Sequence, residues 1–424
     1  MTEKMKPSGI AWIGDIPTEW DLTKVRFATK VRSEKGYYCA EDKYIGLENI
    51  SSYTGKYIPT ETEYDPGLYD IYREGDVLFS KLRPYLAKAL IADDNGFCTG
   101  ELEVISDYLG DKRFLFYYLL SDGFLKMVDA STYGTKMPRA NWEYIKNLQI
   151  PVVPCWEQCA IADYLDAQCA KIDSVIADIE KQIEILQKYK KSLITEAVTK
   201  GLDQSISMKD SGIEWIGKIP SHWRVIRITK YLDSLVDYRG KTPEKVDDGV
   251  FLVTARNIKN GIVDYSLSQE YVAAEEYEQI MHRGKPEVGD VLFTTEAPLG
   301  EVANVDRTDI ALAQRVIKFS GRKGCVDNYY LKYWLMSLGF QSFLWSLATG
   351  STALGIAASK LGQLKMVLPP IDEQKAIAER LDCDCTTIDA IIVEKRKQLE
   401  TAQQYKKSLI YEYVTGKKRV TEVN

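Results

Sequence analysis

The chain has 424 residues, of which 45% are hydrophobic and 27% charged, and its formal net charge is −6. That is globular composition, long enough for roughly two to four domains. Two histidines, and eight cysteines without a CxxC pair, argue against zinc fingers, histidine-based chemistry and an exported disulfide scaffold. The opening MTEKMKPSGI lacks the apolar core of a signal peptide. With no run of about 18 apolar residues, no membrane span is expected.

The first element in chain order is MKPSGIAWIGDIPTEW at 5–20, and it returns as MKDSGIEWIGKIPSHW at 208–223, identical at eleven of sixteen positions. An internal repeat of this kind marks a duplicated structural unit. Next come β-like runs, DVLFS (76–80) and KALIAD (88–93), then an apolar stretch with helical spacing, RFLFYYLLSDGFLKMV (113–128). The segment REGDVLFSKLRP (73–84) returns as EVGDVLFTTEAP (287–298), and EQCAIADYLD (157–166) returns as EQKAIAERLD (373–382). The offset between copies grows from 203 to 214 to 216, so the second copy carries extra residues inside. A kept frame with divergent interiors predicts two modules of one type with different specificities.

Each copy ends in a long helical pattern. Leu165, Cys169, Ile172, Ile176, Ile179, Ile183 and Leu186 alternate spacings of four and three, a heptad seam. Leu381, Cys385, Ile388, Ile392, Lys395, Leu399 and Ala402 repeat the register, with Lys395 interrupting it. Both patterns begin after prolines, Pro154 and Pro369–Pro370. About 40 residues at 1.5 Å each give about 60 Å per helix. Two such seams are expected to bury each other, antiparallel, with one module at each end and a pseudo-twofold axis between the halves. Cys169 and Cys385 read as small core residues.

The second module repeats the scheme, with DVLFTT (290–295), EVANVD (301–306), RVIKFS (315–320) and the helical NYYLKYWLMSLGFQSFLWSL (328–347). Strands followed by helices predict an α/β or α+β module with an irregular sheet. Catalytic signatures are missing. GKT at 240–242 lacks the first glycine of a phosphate loop, VLPPID is not a methyltransferase loop, and no GxSxG or metal-ligand spacing occurs. Neither module is basic overall, with 19 Lys and Arg against 23 Asp and Glu in residues 1–150, and 20 against 19 in 208–370. Cations do cluster locally. Lys81, Arg83, Lys88, Lys136 and Arg139 do so in the first module, as do Arg239, Lys241, Lys245, Arg256, Lys259, Arg315, Lys318, Arg322 and Lys323 in the second. They are candidates for phosphate contacts. Tyr85 and Tyr238 stand beside them. Asn49 and Asn257 occupy similar places in the two halves and could bond adenine edges, or equally serve as Asx-turn caps; Arg256 could bond guanine.

The WIGxIPxxW openings, GDVLFSKLRPYLAKA, APLGEVA, ALAQRVI, the turns GTKMP (134–138) and GSTAL (350–354), the EQxAIA helix start and the YKKSLI ending together resemble the specificity subunit of type I restriction–modification systems. The resemblance runs the length of the chain; Ala313 stands where the family usually has Asn. It implies a non-catalytic DNA-reading subunit of a multisubunit adenine-methyltransferase and endonuclease complex, acting in the prokaryotic cytoplasm. It divides the chain into a first target-recognition domain (1–153), a central helical region (154–207), a second target-recognition domain (208–369) and a distal helical region (370–424). Each recognition domain would read one half of a bipartite double-stranded DNA target. The helices would dock two methyltransferase subunits, and motor–nuclease subunits would join them. The partners, not this chain, would use S-adenosylmethionine and ATP, and no metal is implied here. Two rival readings are an enzyme that acts on DNA alone, for which no signature occurs, and a coiled-coil scaffold without nucleic acid, which leaves the divergent interiors unexplained.

Overall fold

The structure, a computed structural model, describes residues 4–240, 243–350 and 354–420. The chain forms two compact units, Met1–Lys181 with Arg396–Asn424, and Gln182–Lys395. In the first, an antiparallel sheet runs in the order Thr29–Val31, Leu102–Tyr108, Val77–Ser80, Ala89–Ile91. All four residues of Val77–Ser80 are buried, and a strand covered on both faces reads as a continuous apolar run. A second sheet orders Lys35–Tyr38, Gly67–Tyr72, Gly96–Cys98 and Tyr44–Ile45, the last pair parallel. Two helices follow, α1 (Lys112–Leu119) and α2 (Asp122–Asp129), and Phe114, Tyr118 and Phe124 share a core with Phe79. The long helix α3 spans Cys155–Lys200.

The second unit repeats the plan. Its main sheet orders Leu232–Asp237, Val316–Gly321, Val291–Thr295 and Leu299–Asn304, with a three-stranded sheet of Tyr271–Val272, Val250–Val253 and Ile310–Leu312 beside it. Helices α4 (Asn328–Met336) and α5 (Leu338–Leu347) precede the second long helix, α6 (Ile371–Val414). The fold is thus a mixed α/β module in two copies.

Each helical stretch expected as one run is broken at a serine. Ser121 and Ser337 are extended, with ψ of 137° and 148°, and each Oγ donates to the carbonyl three residues back, Tyr118 and Trp334. Such a bond offers the backbone an alternative to the helix ladder. Two residues later comes a glycine, because a Cβ on Gly123 would lie 2.0 Å from the Trp12 ring and one on Gly339 2.9 Å from the Trp215 carbonyl. The repeated WIG tryptophans therefore dictate the repeated glycines.

The long helices are tied into the module cores by equivalent side chains. Gln158, at the start of α3, donates to the Val153 and Leu109 carbonyls and accepts from the Asp111 amide; Gln374 of α6 does the same with Pro369, Cys325 and Asp327. Glu157 accepts the Trp20 indole at 3.0 Å, and Glu373 that of Trp223 at 2.8 Å. The turn aspartate of each GDVLF motif is buried but paired differently. Asp76 accepts Arg32 Nε at 2.9 Å, and Asp290 accepts Lys318 Nζ at 2.6 Å.

Within each unit, part of one long helix lies antiparallel on part of the other. In the first, Leu165 and Cys169 share a core with Leu409, Ile410 and Tyr413, and Lys406 bonds Asp173 at 2.6 Å. In the second, Ile194 and Ala197 join Ile377, Leu381 and Cys385, and Lys190 bonds Asp389 at 2.6 Å. Ile179, Ile388 and Ile392 are buried, while Ile172, Ile176, Ile183, Leu186, Lys395 and Leu399 are half-buried. The two ion pairs are one interaction seen twice, since 173 and 190 each become their counterpart on adding 216. They differ in burial. Asp173 is 10% exposed and Asp389 50%. Removing one partner of a buried pair strands the other charge at a cost of about 3–5 kcal/mol, whereas a half-exposed pair contributes under about 1 kcal/mol. Lys406→Ala should therefore lower the urea midpoint of the first unit sharply, and Lys190→Ala should barely shift that of the second; equal effects on the two would contradict the burial difference.

Candidate nucleic-acid interface

Most of the cations named from the sequence fall on a few loops, but Lys318 lies in the strand Val316–Gly321, buried against Asp290, and is no phosphate contact. In the first unit, Ser80 ends a buried strand and the chain makes a tight excursion through Lys81–Lys88. Arg83 and Ala87 adopt left-handed backbone, with φ of 49° and 48°. Non-glycine residues in that region are strained by roughly 1–3 kcal/mol each, and such strain concentrates at functional sites. The excursion is fastened to a second loop, residues 133–140. The Arg83 amide donates to the Pro138 carbonyl at 2.7 Å, the Ala140 amide donates to Lys81 at 2.8 Å, and Leu82 bridges Arg139. Lys81, Arg83, Tyr85, Lys136 and Arg139 are thereby gathered at one junction, where Tyr85, Lys136 and Arg139 are exposed.

Most of these cations already have acceptors. Lys81 Nζ lies 2.8 Å from Glu103, and Arg139 pairs with Glu101. Lys88 Nζ donates to the Leu47 carbonyl at 2.6 Å, and burial pushes its ammonium below the ordinary lysine value. Lys88 thus clamps the turn at Leu47–Asn49 against the excursion. Arg83 is less well satisfied: among the described residues its Nε is buried with no hydrogen-bond partner, and its Nη2 reaches the Lys136 carbonyl only at 3.5 Å.

The second unit has the equivalent junction. Ala297 is left-handed with φ of 45°, 214 residues beyond Arg83, and Glu296 bridges Gly355 as Leu82 bridges Arg139. Arg315 Nε lies 2.7 Å from Glu296. Arg239 joins them, its Nη1 donating to the Ile356 carbonyl at 2.9 Å. Burial alone would raise the Asp237 carboxyl, but the Arg239 guanidinium bonded to it holds it below the ordinary value. Arg256 and Lys259 are exposed on a different element, the turn into the hairpin Ile258–Lys259 and Ile262–Val263, and Lys245 pairs with Glu270 at 2.8 Å. Lys241 and residues 351–353 of the GSTAL turn lie outside the described residues.

The base-reading role expected for Asn49 and Asn257 is corrected by their surroundings. Both are buried, at 2% and 0% exposure. Asn49 Oδ1 accepts from the Gly46 amide, and its Nδ2 donates to Ile58 O and Thr60 Oγ1. Asn257 Oδ1 accepts from the Thr254 amide and hydroxyl, and its Nδ2 donates to the Asp264 and Ser268 carbonyls. Each side chain thus closes a turn backwards, onto the amide three residues earlier, and not as the Asx-turn cap that the sequence equally allowed, which bonds the amide two residues onward. The sequence reading missed the acidic partners Glu101, Glu103 and Glu296, and the exposed Tyr133 and Met137. For Glu101 a signal was present in the 214-residue offset, which aligns it with Arg315.

Among the described residues no three or more His, Cys, Asp or Glu are grouped to hold a metal, and no helix is long and apolar enough to cross a membrane. The family model for the type I restriction modification DNA specificity domain matches residues 14–185 and 220–401, one match per copy. The chain belongs to that family. A similar relative is the type I restriction enzyme MjaVIII specificity subunit of Methanocaldococcus jannaschii, 32% identical over 326 residues, 74% of this chain and 72% of its own. The EcoBI specificity subunit of Escherichia coli is 24% identical over 314 residues, 72% of this chain and 65% of its own. A solved structure concerned with complex assembly and conformational transition of the type I R-M system matches with a TM-score of 0.68 at 17% identity, covering 94% of this chain and 98% of that one; it speaks for the fold. As a specificity subunit of a type I restriction system the chain is non-catalytic and serves DNA sequence recognition.

The buried and exposed candidates separate experimentally. Asn257→Ala strands buried backbone groups at about 1–3 kcal/mol and should lower the melting temperature. Lys136→Ala should leave melting unchanged, weaken DNA binding evenly across sequences, and reduce the salt slope by about one. A stable Asn257→Ala protein with altered base preference would restore the base-reading role.

Proposed function

We propose that the chain reads a bipartite double-stranded DNA target, one half-site per recognition domain. Residues 1–153 and 208–369 do the reading. The helical regions 154–207 and 370–424 set the separation of the half-sites and dock two methyltransferase subunits. Motor–nuclease subunits complete the assembly in the prokaryotic cytoplasm. The methyltransferase subunits supply S-adenosylmethionine chemistry on adenine and the motor subunits consume ATP, so the residues here only bind and position.

One observation carries this reading. Both units build the same strained junction at the same place, yet furnish it with different side chains: Lys81, Arg83, Tyr85, Lys136 and Arg139 in one, Arg239, Glu296 and Arg315 in the other. A kept scaffold with changed contacts is what two readers of different half-sites need, because base contacts specify while the frame positions. Two linked readers also raise each other's effective concentration without new contacts. The near-neutral charge of both modules accords with partner subunits supplying part of the phosphate clamp.

Co-expression with the methyltransferase subunit, followed by mapping of methylated adenines across a genome, should yield a split motif. Exchanging residues 21–150 for those of a relative should change one half of it only. Inserting seven residues in each long helix lengthens them by about 10 Å, or about three base pairs. The unread spacer should grow by that amount with both half-sites intact; a fixed spacer would remove the ruler role.

A further inference from the structure

We propose that each unit presents one flank of its helix pair to a methyltransferase subunit, and that the two flanks are unequal, the second unit holding its partner more tightly than the first. The inference rests on the docking role proposed above. Continuing the spacing of four and three, the seam positions after Leu186 and Ala402 are Lys190 and Lys406. On α3, Val175 and Tyr189 each stand one residue before a seam position, Ile176 and Lys190; on α6, Ile391 and Tyr405 stand one before Ile392 and Lys406. All four share one heptad position, and in an antiparallel pair that position lines the same flank on both helices. The ion pairs fix their level. In the first unit Val175 lies two residues beyond Asp173, and Tyr405 one before Lys406; in the second, Ile391 lies two beyond Asp389, and Tyr189 one before Lys190. Each unit thus sets an aliphatic residue level with a tyrosine on one flank, and all four side chains are exposed, between 42% and 59%.

Scattered exposed apolar residues are ordinary, but a tyrosine–aliphatic pair that recurs at the same point of a duplicated frame marks a contact surface. Tyrosine is enriched among the residues that carry binding energy in protein interfaces. An apolar face offers phosphates nothing, so the occupant is a protein, and two equivalent faces call for two copies of one protein. The units differ one turn before the tyrosine. In the second, Ile185 precedes Tyr189 by four residues, shares its face and is exposed; in the first, the exposed Thr401 takes that place before Tyr405. Ile391 also exceeds Val175 by a methylene. The second flank therefore offers two more methylenes, and a methyl where the first has a hydroxyl. Each methylene is worth about fourfold on full burial, and partial burial brings the whole difference to about tenfold in affinity.

The test titrates the methyltransferase subunit onto the full chain without DNA, and counts bound copies by light scattering. The native chain should bind two. Tyr405→Glu, which places a charge in the first flank, should leave one partner bound with the tighter of the two dissociation constants. Tyr189→Glu should leave one bound about tenfold more weakly. Adding Ile185→Thr and Ile391→Val to Tyr405→Glu should bring the two values together. All these side chains are exposed, so the melting temperatures should stay at the native value. If each tyrosine variant keeps one partner with the same dissociation constant, the inequality is wrong and the docking role stands. If both variants bind two partners as tightly as the native chain, the flank is not the docking face. If the native chain alone is a dimer that either tyrosine variant turns into a monomer, a second copy covers the flank and the proposal falls. A native chain that binds no methyltransferase subunit at all would remove the docking role itself.

Discussion

The structure depends on an apolar seam that neither long helix can bury alone. An isolated amphipathic helix gains its stability from packing its apolar face. Here each unit lays a stretch of α3 against a stretch of α6 in the opposite sense and merges both with the core of its own module. The symmetry-related pairs Asp173 with Lys406 and Lys190 with Asp389 stand in or beside that seam. Apolar contacts tolerate sliding, whereas a charge left without its partner in the seam penalises other registers, the best-attested use of polar groups in helical interfaces. The seam supplies the association and the ion pairs specify its alignment.

The modules follow from how they are attached. Gln158 and Gln374 each fill three backbone hydrogen-bonding sites of the module next to them, and Glu157 and Glu373 receive the repeated tryptophans. The EQ dipeptide at each helix start is thus a joint, with one residue turned to the indole and the other to the strand and loop ends. With this joint repeated, the interior of each module is free to vary.

The frame was legible in the sequence because frame residues obey period and repetition. The heptad spacing, the shifting offset and the WIG and GDVLF motifs all describe what is buried. The interface was less legible. Asn49 and Asn257 align between the halves, which suggested contact with a ligand, but they align because both close a turn in the frame. The partners of the cations were hidden because Glu101 and Arg139 are 38 residues apart and meet only through the fastening of two loops. The breaks at Ser121 and Ser337 were hidden because apolar spacing continues across them, and only the hydroxyl bond to the preceding carbonyl interrupts the helix.

The differently paired turn aspartates bear on how such proteins diversify. Asp76 draws its cation from an earlier strand end, at Arg32, and Asp290 from a later strand, at Lys318. The position matching Lys318 in the first copy is Val104. A gene crossover between these points that joined the early part of the second module to the late part of the first would bury a carboxylate with no counter-ion; the reciprocal product would carry two cations for one aspartate. An exchange of the whole interval from before residue 32 to beyond residue 104 keeps each aspartate with its own cation and avoids that cost.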